Sequence, residues 1–287
     1  MIEAATLPQT MRVEELVIEA AETELIGRFG SLAEGEIRRK IHLDDSVVTL
    51  ADESMERVLG QKLRQLIPSS RVVGEESVSA APDLMRRLGG ENPVWLIDPL
   101  DGTANFVRGD DRFGVLLAYV QGGRTLAGWI YLPMRGLMLS TTVGHGVRAR
   151  AGGRLAFLPG PPPDPPLRGM AALHPVRGAR SSSVFAKYLK RQGLNADITA
   201  CTAHAYVQLL LGRIQFCLEA GEAKPWDHTA GVLAVQEAGG HVARLDGSAY
   251  RSDQPLGSLL AASSVDIWNE VAPAARSAAA ATLAECA

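Results

Sequence analysis

The stretch Trp95-Leu96-Ile97-Asp98-Pro99-Leu100-Asp101-Gly102-Thr103-Ala104-Asn105-Phe106 decides how the rest of the chain is read. The apolar run from Val94 to Ile97 has the length of a short buried strand. Pro99 locks its own φ and has no N–H to give, which predicts that the ladder stops there. Two carboxylates, Asp98 and Asp101, then leave the strand end together. Gly102 permits a tight backbone path, Thr103 adds a hydroxyl, and backbone N–H groups beyond a glycine can hold a phosphate. The same residues also suit an ordinary turn, since Asp, Pro and Gly each favour one.

Before this stretch, apolar positions between Thr10 and Phe29 recur at helical period, with Gly27 and Gly30 as the predicted stop. Val47-Val48-Thr49 is β-branched and extended, and Asp52 opens a helix to about Leu66. Asp52 suits that helix end by charge alone. Arg71–Gly74 is a short strand running into Glu75 and Glu76. Adjacent acids usually mean a solvated turn; here they also suggest a second strand end aiming a carboxylate into one crevice with Asp98. Ala81 to Gly89 is a short helix or surface loop. After the quoted stretch, Phe113–Val120, Thr125–Leu132, Gly136–Val143 and Val147–Leu155 are separated by glycine turns, a meander of antiparallel strands.

Pro159-Gly-Pro-Pro-Pro-Asp-Pro-Pro166 reads as an extended linker. It divides an α+β region, residues 1–158, whose antiparallel sheet carries most candidate ligands, from an α/β region, residues 167–287. In the second, strands at Arg168–Leu173, Ala196–Thr199 and Ile214–Glu219 alternate with helices at Ser181–Gln192, Ala203–Leu211 and Asp227–Ala238. Ser181 or Ser182 is the expected cap of the first helix, and Val265–Ala287 an alanine-rich surface helix.

The 287 residues are 46% hydrophobic, ample for a core, and the net charge of −3 gives no support for a nucleic-acid surface. Cys201, Cys217 and Cys286 lack paired spacing, which fits a reducing compartment. The first residues have no basic run of the signal-peptide kind, and no apolar run approaches a membrane span. The expectation is a soluble cytoplasmic protein with no membrane or nucleic-acid partner.

Glu75, the pair Asp98 and Asp101, and Asp227 come from three separate segments. If the fold gathers them, four like charges crowd one crevice, which is untenable without cations. The donors are all oxygens, so a hard ion such as Mg²⁺, Mn²⁺ or Ca²⁺ is favoured over zinc.

Three segments in order, Gly74-Glu75-Glu76, Asp98-Pro-Leu-Asp-Gly-Thr103 and Lys224-Pro-Trp-Asp-His-Thr-Ala-Gly231, resemble the inositol monophosphatase family of magnesium-dependent, lithium-sensitive phosphatases. The resemblance spans roughly Val13 to Gly240. It implies an α-β-α-β-α layered sandwich of the inositol monophosphatase and fructose-1,6-bisphosphatase type, commonly a homodimer. It implies a phosphomonoesterase that cleaves a small phosphorylated metabolite, inositol monophosphate-like, with metal-activated water. Two or three Mg²⁺ per site are implied, with Mn²⁺ as a substitute. Glu75, Asp98 and the Leu100 carbonyl resemble the ligands of one metal; Asp98, Asp101 and Asp227 resemble those of a second. Thr49-Leu-Ala-Asp52 matches the family's Thr-x-x-Asp, so Asp52 and Thr103 would orient the water, with Glu75 beside them in the catalytic set. Gly102 and Thr103 would hold the phosphate.

The substrate side departs from the family pattern. Ala200-Cys201 stands where Gly-Ser is usual, in a loop expected to face the substrate's alcohol, and Glu219 or Glu222 would provide a further contact. Bisphosphate nucleotidase of the 3′(2′),5′ type, fructose-1,6-bisphosphatase and histidinol-phosphatase activities are therefore alternatives. So is a regulatory or binding protein that retains the fold.

Overall fold

The computed structural model describes residues 7–39, 47–158, 167–172, 180–254 and 257–286. The proline run at 159–166 lies outside them, as does Leu173. Helix α1 (Leu7–Glu24) is followed by a 3-10 turn at Ile26–Arg28. Strands β1 (Ile37–Arg39) and β2 (Val47–Thr49) pair antiparallel and lead into α2 (Leu50–Leu66). Next come β3 (Arg71–Gly74), α3 (Glu75–Ala80), a 3-10 segment at Pro82–Gly89, β4 (Val94–Asp101) and α4 (Thr103–Val107). A meander then runs through β5 (Gly114–Gln121), β6 (Arg124–Leu132), β7 (Leu137–Thr142), β8 (Val147–Ala151) and β9 (Arg154–Phe157). These strands form a sheet in the order β3-β4-β5-β6-β7-β8-β9, antiparallel except for the parallel pair β3–β4. Gly152 and Gly153, both at positive φ, split the run expected over Val147–Leu155 into β8 and β9.

The second half contains β10 (Gly169–Ala172), α5 (Arg180–Arg191), β11 (Ala196–Ile198), α6 (Thr202–Leu210), β12 (Phe216–Glu219) and α7 (Pro225–Glu237). It closes with β13 (His241–Arg244), β14 (Leu259–Ala262) and α8 (Val265–Cys286). Its sheet has the order β11-β10-β12-β14-β13, with β10 parallel to both β11 and β12 and the last two strands antiparallel.

Five layers follow from where apolar side chains point. Successive residues of a strand face opposite sides, and β4 is buried along its whole length. Trp95 and Ile97 join Val13 and Leu16 of α1 and Met55 and Leu59 of α2 in one core. Leu96 faces the other way, with Tyr206 of α6, Trp226 and Val232 of α7, and Leu259 of β14. On the far side of the second sheet, Phe216 and Leu260 pack with Phe185 of α5 and Val271 and Ala275 of α8. The order is helices, sheet, helices, sheet, helices, as the resemblance implied. No described helix is long and apolar enough to cross a membrane.

Three expectations need correction, and two strands were not expected. Pro99 does not end its strand: β4 continues to Asp101, which re-pairs with Gly114 after a register shift. The missing N–H is tolerated because β3, the neighbour on the other side, pairs only as far as Ile97. Strands β13 and β14 were not foreseen. Helix α5 already begins at Arg180, so neither Ser181 nor Ser182 is its cap. Helix α8 is not a surface appendage, since Val271, Ala272, Ala275 and Ala278 are fully buried. Small side chains along one face let it approach the sheet closely.

Candidate functional site

The register Gly74↔Ile97 puts the ends of β3 and β4 side by side, so Glu75 and Asp98 emerge as neighbours. Glu75 is not in a solvated turn; it is the first residue of α3. Asp227 arrives in the first turn of α7, which Pro225 opens at a position where a missing N–H is harmless. Carboxylate oxygens of Glu75, Asp98 and Asp227 all lie within 4.8 Å of one another. Asp98 and Asp227 are buried, and Glu75 is half-buried. Asp98 Oδ1 accepts the Leu100 N–H at 3.1 Å. Burial holds the Asp98 carboxyl well above the usual range, reinforced by the charges of Glu75, Asp101 and Asp227. Such a group must be neutralised by protons or by a cation, and its oxygens suit a hard divalent ion.

Asp101 lies outside that 4.8 Å group. Its Oδ2 accepts the Ala203 N–H at 2.5 Å and the Cys201 S–H at 3.1 Å, and the Thr202 N–H also donates to the carboxylate. Burial nonetheless raises its pKa. Cys201 also caps α6, its Sγ accepting the His204 N–H at 3.4 Å. The thiol is 1% exposed, and burial together with Asp101 keeps it protonated. The one proton of Cys201 is thus directed to the Asp101 carboxylate. The Ala200 carbonyl lies against Gly102. A Cβ at Gly102 would sit 3.0 Å from the Arg112 carbonyl, 3.2 Å from Cys201 Cβ and 3.3 Å from the Ala200 carbonyl. With φ at +85°, glycine is needed there for both space and conformation.

Thr49 is the N-cap of α2, and Asp52 completes its capping box. Asp52 Oδ2 accepts the Thr49 N–H at 2.7 Å and the Thr49 hydroxyl at 2.6 Å. Asp52 Oδ1 lies 2.9 Å from Thr103 Oγ1, which is also 2.9 Å from the Leu100 carbonyl. Burial pushes the Asp52 pKa up to about 6, against the pull of these hydrogen bonds. Asp52 therefore serves both the capping box of α2 and Thr103.

Glu219 ends β12, is buried, and places Oε2 3.9 Å from His228 Nε2. His228 Nδ1 lies 3.1 Å from the Tyr206 hydroxyl. A cavity of about 20 Å³ borders Glu219, His228, Tyr206 and Thr202, room for one water. Glu222 is exposed. Glu219 was expected as a substrate contact, but its grouping with Tyr206 and His228, on three different elements, was not. Sequence reasoning also missed Glu56, which was findable because it follows Asp52 by four residues, one helical turn.

The sequence pattern of the inositol monophosphatase family matches residues 13–285. The chain belongs to that family. A Thermotoga maritima protein named fructose-1,6-bisphosphatase/inositol-1-monophosphatase is 28% identical over 206 residues, 70% of this chain and 72% of its own. Nus factor SuhB of Escherichia coli K12 is 31% identical over 204 residues, covering 70% and 72%. The 3′(2′),5′-bisphosphate nucleotidase CysQ of Shigella flexneri is 28% identical over 199 residues, covering 69% and 76%. Among solved structures, Thermotoga maritima IMPase superposes with a TM-score of 0.75 at 22% identity, over 95% of this chain and 98% of that one. Mycobacterium tuberculosis SuhB gives 0.73 at 23% identity, over 96% and 98%. These superpositions establish the layered fold of this inositol monophosphatase family member.

Proposed function

We propose that this family member is a Mg²⁺-dependent phosphomonoesterase acting on a small phosphorylated metabolite. The observation that carries this is the convergence of Glu75, Asp98 and Asp227 oxygens within 4.8 Å, next to the Thr103–Asp52 pair. Glu75, Asp98 and the Leu100 carbonyl would hold one magnesium ion. Asp98, Asp227 and Asp101 would hold a second, and Mn²⁺ can take either place. When bound, such ions polarise phosphoryl oxygens and lower the pKa of water. Thr103 donates its hydroxyl proton to Asp52 Oδ1, which leaves its lone pairs free to accept from the attacking water. Asp52 fixes that polarity as a carboxylate. Gly102 and Thr103 N–H groups would receive the phosphate. The test is phosphate release with and without chelator: chelation abolishes it and Mg²⁺ restores it. Full activity in excess chelator refutes the reading. No release from a broad panel of phosphomonoesters would favour a regulatory protein that keeps the fold, the direction in which the name Nus factor SuhB points. A homodimer and a cytoplasmic setting belong to the same proposal.

One observation favours a bisphosphorylated substrate over inositol monophosphate. A groove of about 550 Å³ is lined by Arg112, Arg168, Arg213, His204, Gln208 and Asp197. It opens directly behind the site, since the Arg112 carbonyl abuts Gly102 and His204 is hydrogen-bonded to Cys201. Arg112 is paired with Asp110, so Arg168 and Arg213 supply the positive charge, against Asp197. Burial chiefly lowers the His204 pKa, with Arg112, Arg135 and Arg213 adding to it and Asp111 opposing. The names of the Thermotoga and Shigella relatives include bisphosphatase and bisphosphate nucleotidase. A substrate with a second phosphate should show a higher kcat/KM than its matched monophosphate and than myo-inositol 1-phosphate. Arg168→Ala with Arg213→Ala should narrow that difference. Inositol monophosphate emerging as clearly best would overturn this preference.

A further inference from the structure

Helix α2 sends two buried carboxylates, one turn apart, to two different parts of the site. Asp52 reaches Thr103. Glu56 reaches the opposite wall: its Oε2 accepts the Glu76 N–H at 2.8 Å and its Oε1 accepts the Ser77 N–H at 3.0 Å. Those N–H groups belong to the first turn of α3, and the residue that opens α3 is Glu75. Helices are normally capped from their own flanking residue. The flanking residue here is Gly74, which has no side chain to cap with. Its lack of a side chain is what admits Glu56, because a Cβ at Gly74 would lie 2.2–2.6 Å from the Glu56 carboxyl group. Ser77 closes the other side. Its Oγ donates to the Gly74 carbonyl at 3.1 Å and accepts the Gly74 N–H at 3.0 Å.

Glu75 has the longest and least buried side chain of the carboxylate group. A carboxylate on three rotatable bonds loses side-chain entropy when it is fixed. Fixing its backbone in advance removes part of that loss from the binding step. A purely structural cap would not need an acid beside Glu75, where the two charges repel. We propose that Glu56 is a positioning residue for the metal centre, clamping the backbone at Glu75 so that its carboxylate is held ready for a divalent cation. Helix α2 then references both Thr103 and Glu75 to one rigid element. This rests on the reading of Glu75, Asp98 and Asp227 as metal ligands.

The test measures Mn²⁺ binding alone, by calorimetry or by the spin-resonance signal of free Mn²⁺, without substrate, in wild type, Glu56→Gln and Glu56→Asp. Groups that orient metal ligands change affinity by about 10–100-fold when altered, and a Kd raised by about tenfold in Glu56→Gln is expected. Amide exchange at Glu76 and Ser77 in the metal-free protein should quicken. In phosphate release, the half-saturating Mg²⁺ should rise by a similar factor, with most of the rate regained at saturating Mg²⁺. Gly74→Ala, which displaces Glu56 sterically, should reproduce the affinity loss. A Mn²⁺ Kd within twofold of wild type, whether or not the melting temperature falls, overturns the proposal and leaves Glu56 as a structural cap. Wild type that binds no divalent cation overturns the metal reading itself, a distinct result.

Discussion

Replacing Asp52 by Asn should separate its part in turnover from its part in folding. The carboxylate accepts from Thr49 twice on Oδ2 and meets Thr103 on Oδ1. An Asn oxygen can keep the Thr49 pair, while its NH₂ donates to Thr103 Oγ1. Thr103 can then donate to the Leu100 carbonyl, already 2.9 Å away. Every buried polar group stays satisfied, so the variant folds. Raising the pKa from 3.8 to about 6 means that ionised Asp52 weighs against the fold by about 3 kcal/mol. The sign follows: its contribution to stability is full below pH 3.8 and is lost as pH rises through about 6. The Asp52→Asn substitution removes that slope. Denaturation of metal-free protein should show the wild type losing stability relative to the variant between about pH 4 and 6, by up to about 3 kcal/mol. Activity goes the other way. With Thr103 no longer donating to a carboxylate, kcat at saturating Mg²⁺ should fall by about 10²–10⁴-fold, or about 3–5 kcal/mol in barrier. The acid limb that ionisation of Asp52 sets in the wild-type profile should vanish with it. A variant that keeps wild-type kcat and the same acid limb would refute Asp52's role and return it to helix capping alone.

Asp98→Asn should remove from chelated protein the stability loss that accompanies ionisation of Asp98 as pH rises, because it deletes a crowded buried charge, while abolishing turnover; wild type should gain about 2.7 kcal/mol from Mg²⁺ at 100 times its Kd and the variant far less. Asp227→Asn should behave alike, and near-normal turnover in either at saturating Mg²⁺ would place the metal elsewhere. Cys201→Ser keeps a donor to Asp101 and should retain activity. Cys201→Ala removes that donor and the α6 cap and should cost about 1 kcal/mol in denaturant titration, together with a weakened Mg²⁺ dependence; equal behaviour of the two variants would show the thiol to be a spacer. Glu14 and Arg148 form a buried pair at 2.7 Å joining α1 to β8, so Glu14→Gln alone should destabilise by about 3–5 kcal/mol and a double apolar replacement by much less, a comparison made by thermal or chemical unfolding.

The sequence by itself determined the elements whose signals are local. Val94 to Ile97 reads as a buried strand because β4 is covered on both faces. The meander is legible because each strand carries its own glycine turn, and Thr49-Leu-Ala-Asp52 announces both a capping box and an acid poised at a helix start. The order of the acidic motifs named Glu75, Asp98, Asp101 and Asp227 as one group; oxygens of Glu75, Asp98 and Asp227 lie within 4.8 Å of one another, and Asp101 is outside that group.

Only the tertiary structure decided how those acids divide their partners. A carboxylate has two oxygens and no preference of its own for a cation over a nearby N–H, so its partner is whatever the fold brings up. Asp101 is turned toward the start of α6 by Cys201 and Ala203, about a hundred residues away in the chain. Glu56 meets the amides of α3 only because Gly74 leaves room. The same dependence hid β13 and β14, short strands that exist by pairing with β12 and with each other. It also hid the buried face of α8, where alanines look the same in sequence whether they face water or a sheet. Local chemistry selects helix, strand and turn, whereas packing across long separations determines which carboxylate oxygens converge and which are spent on holding the protein together.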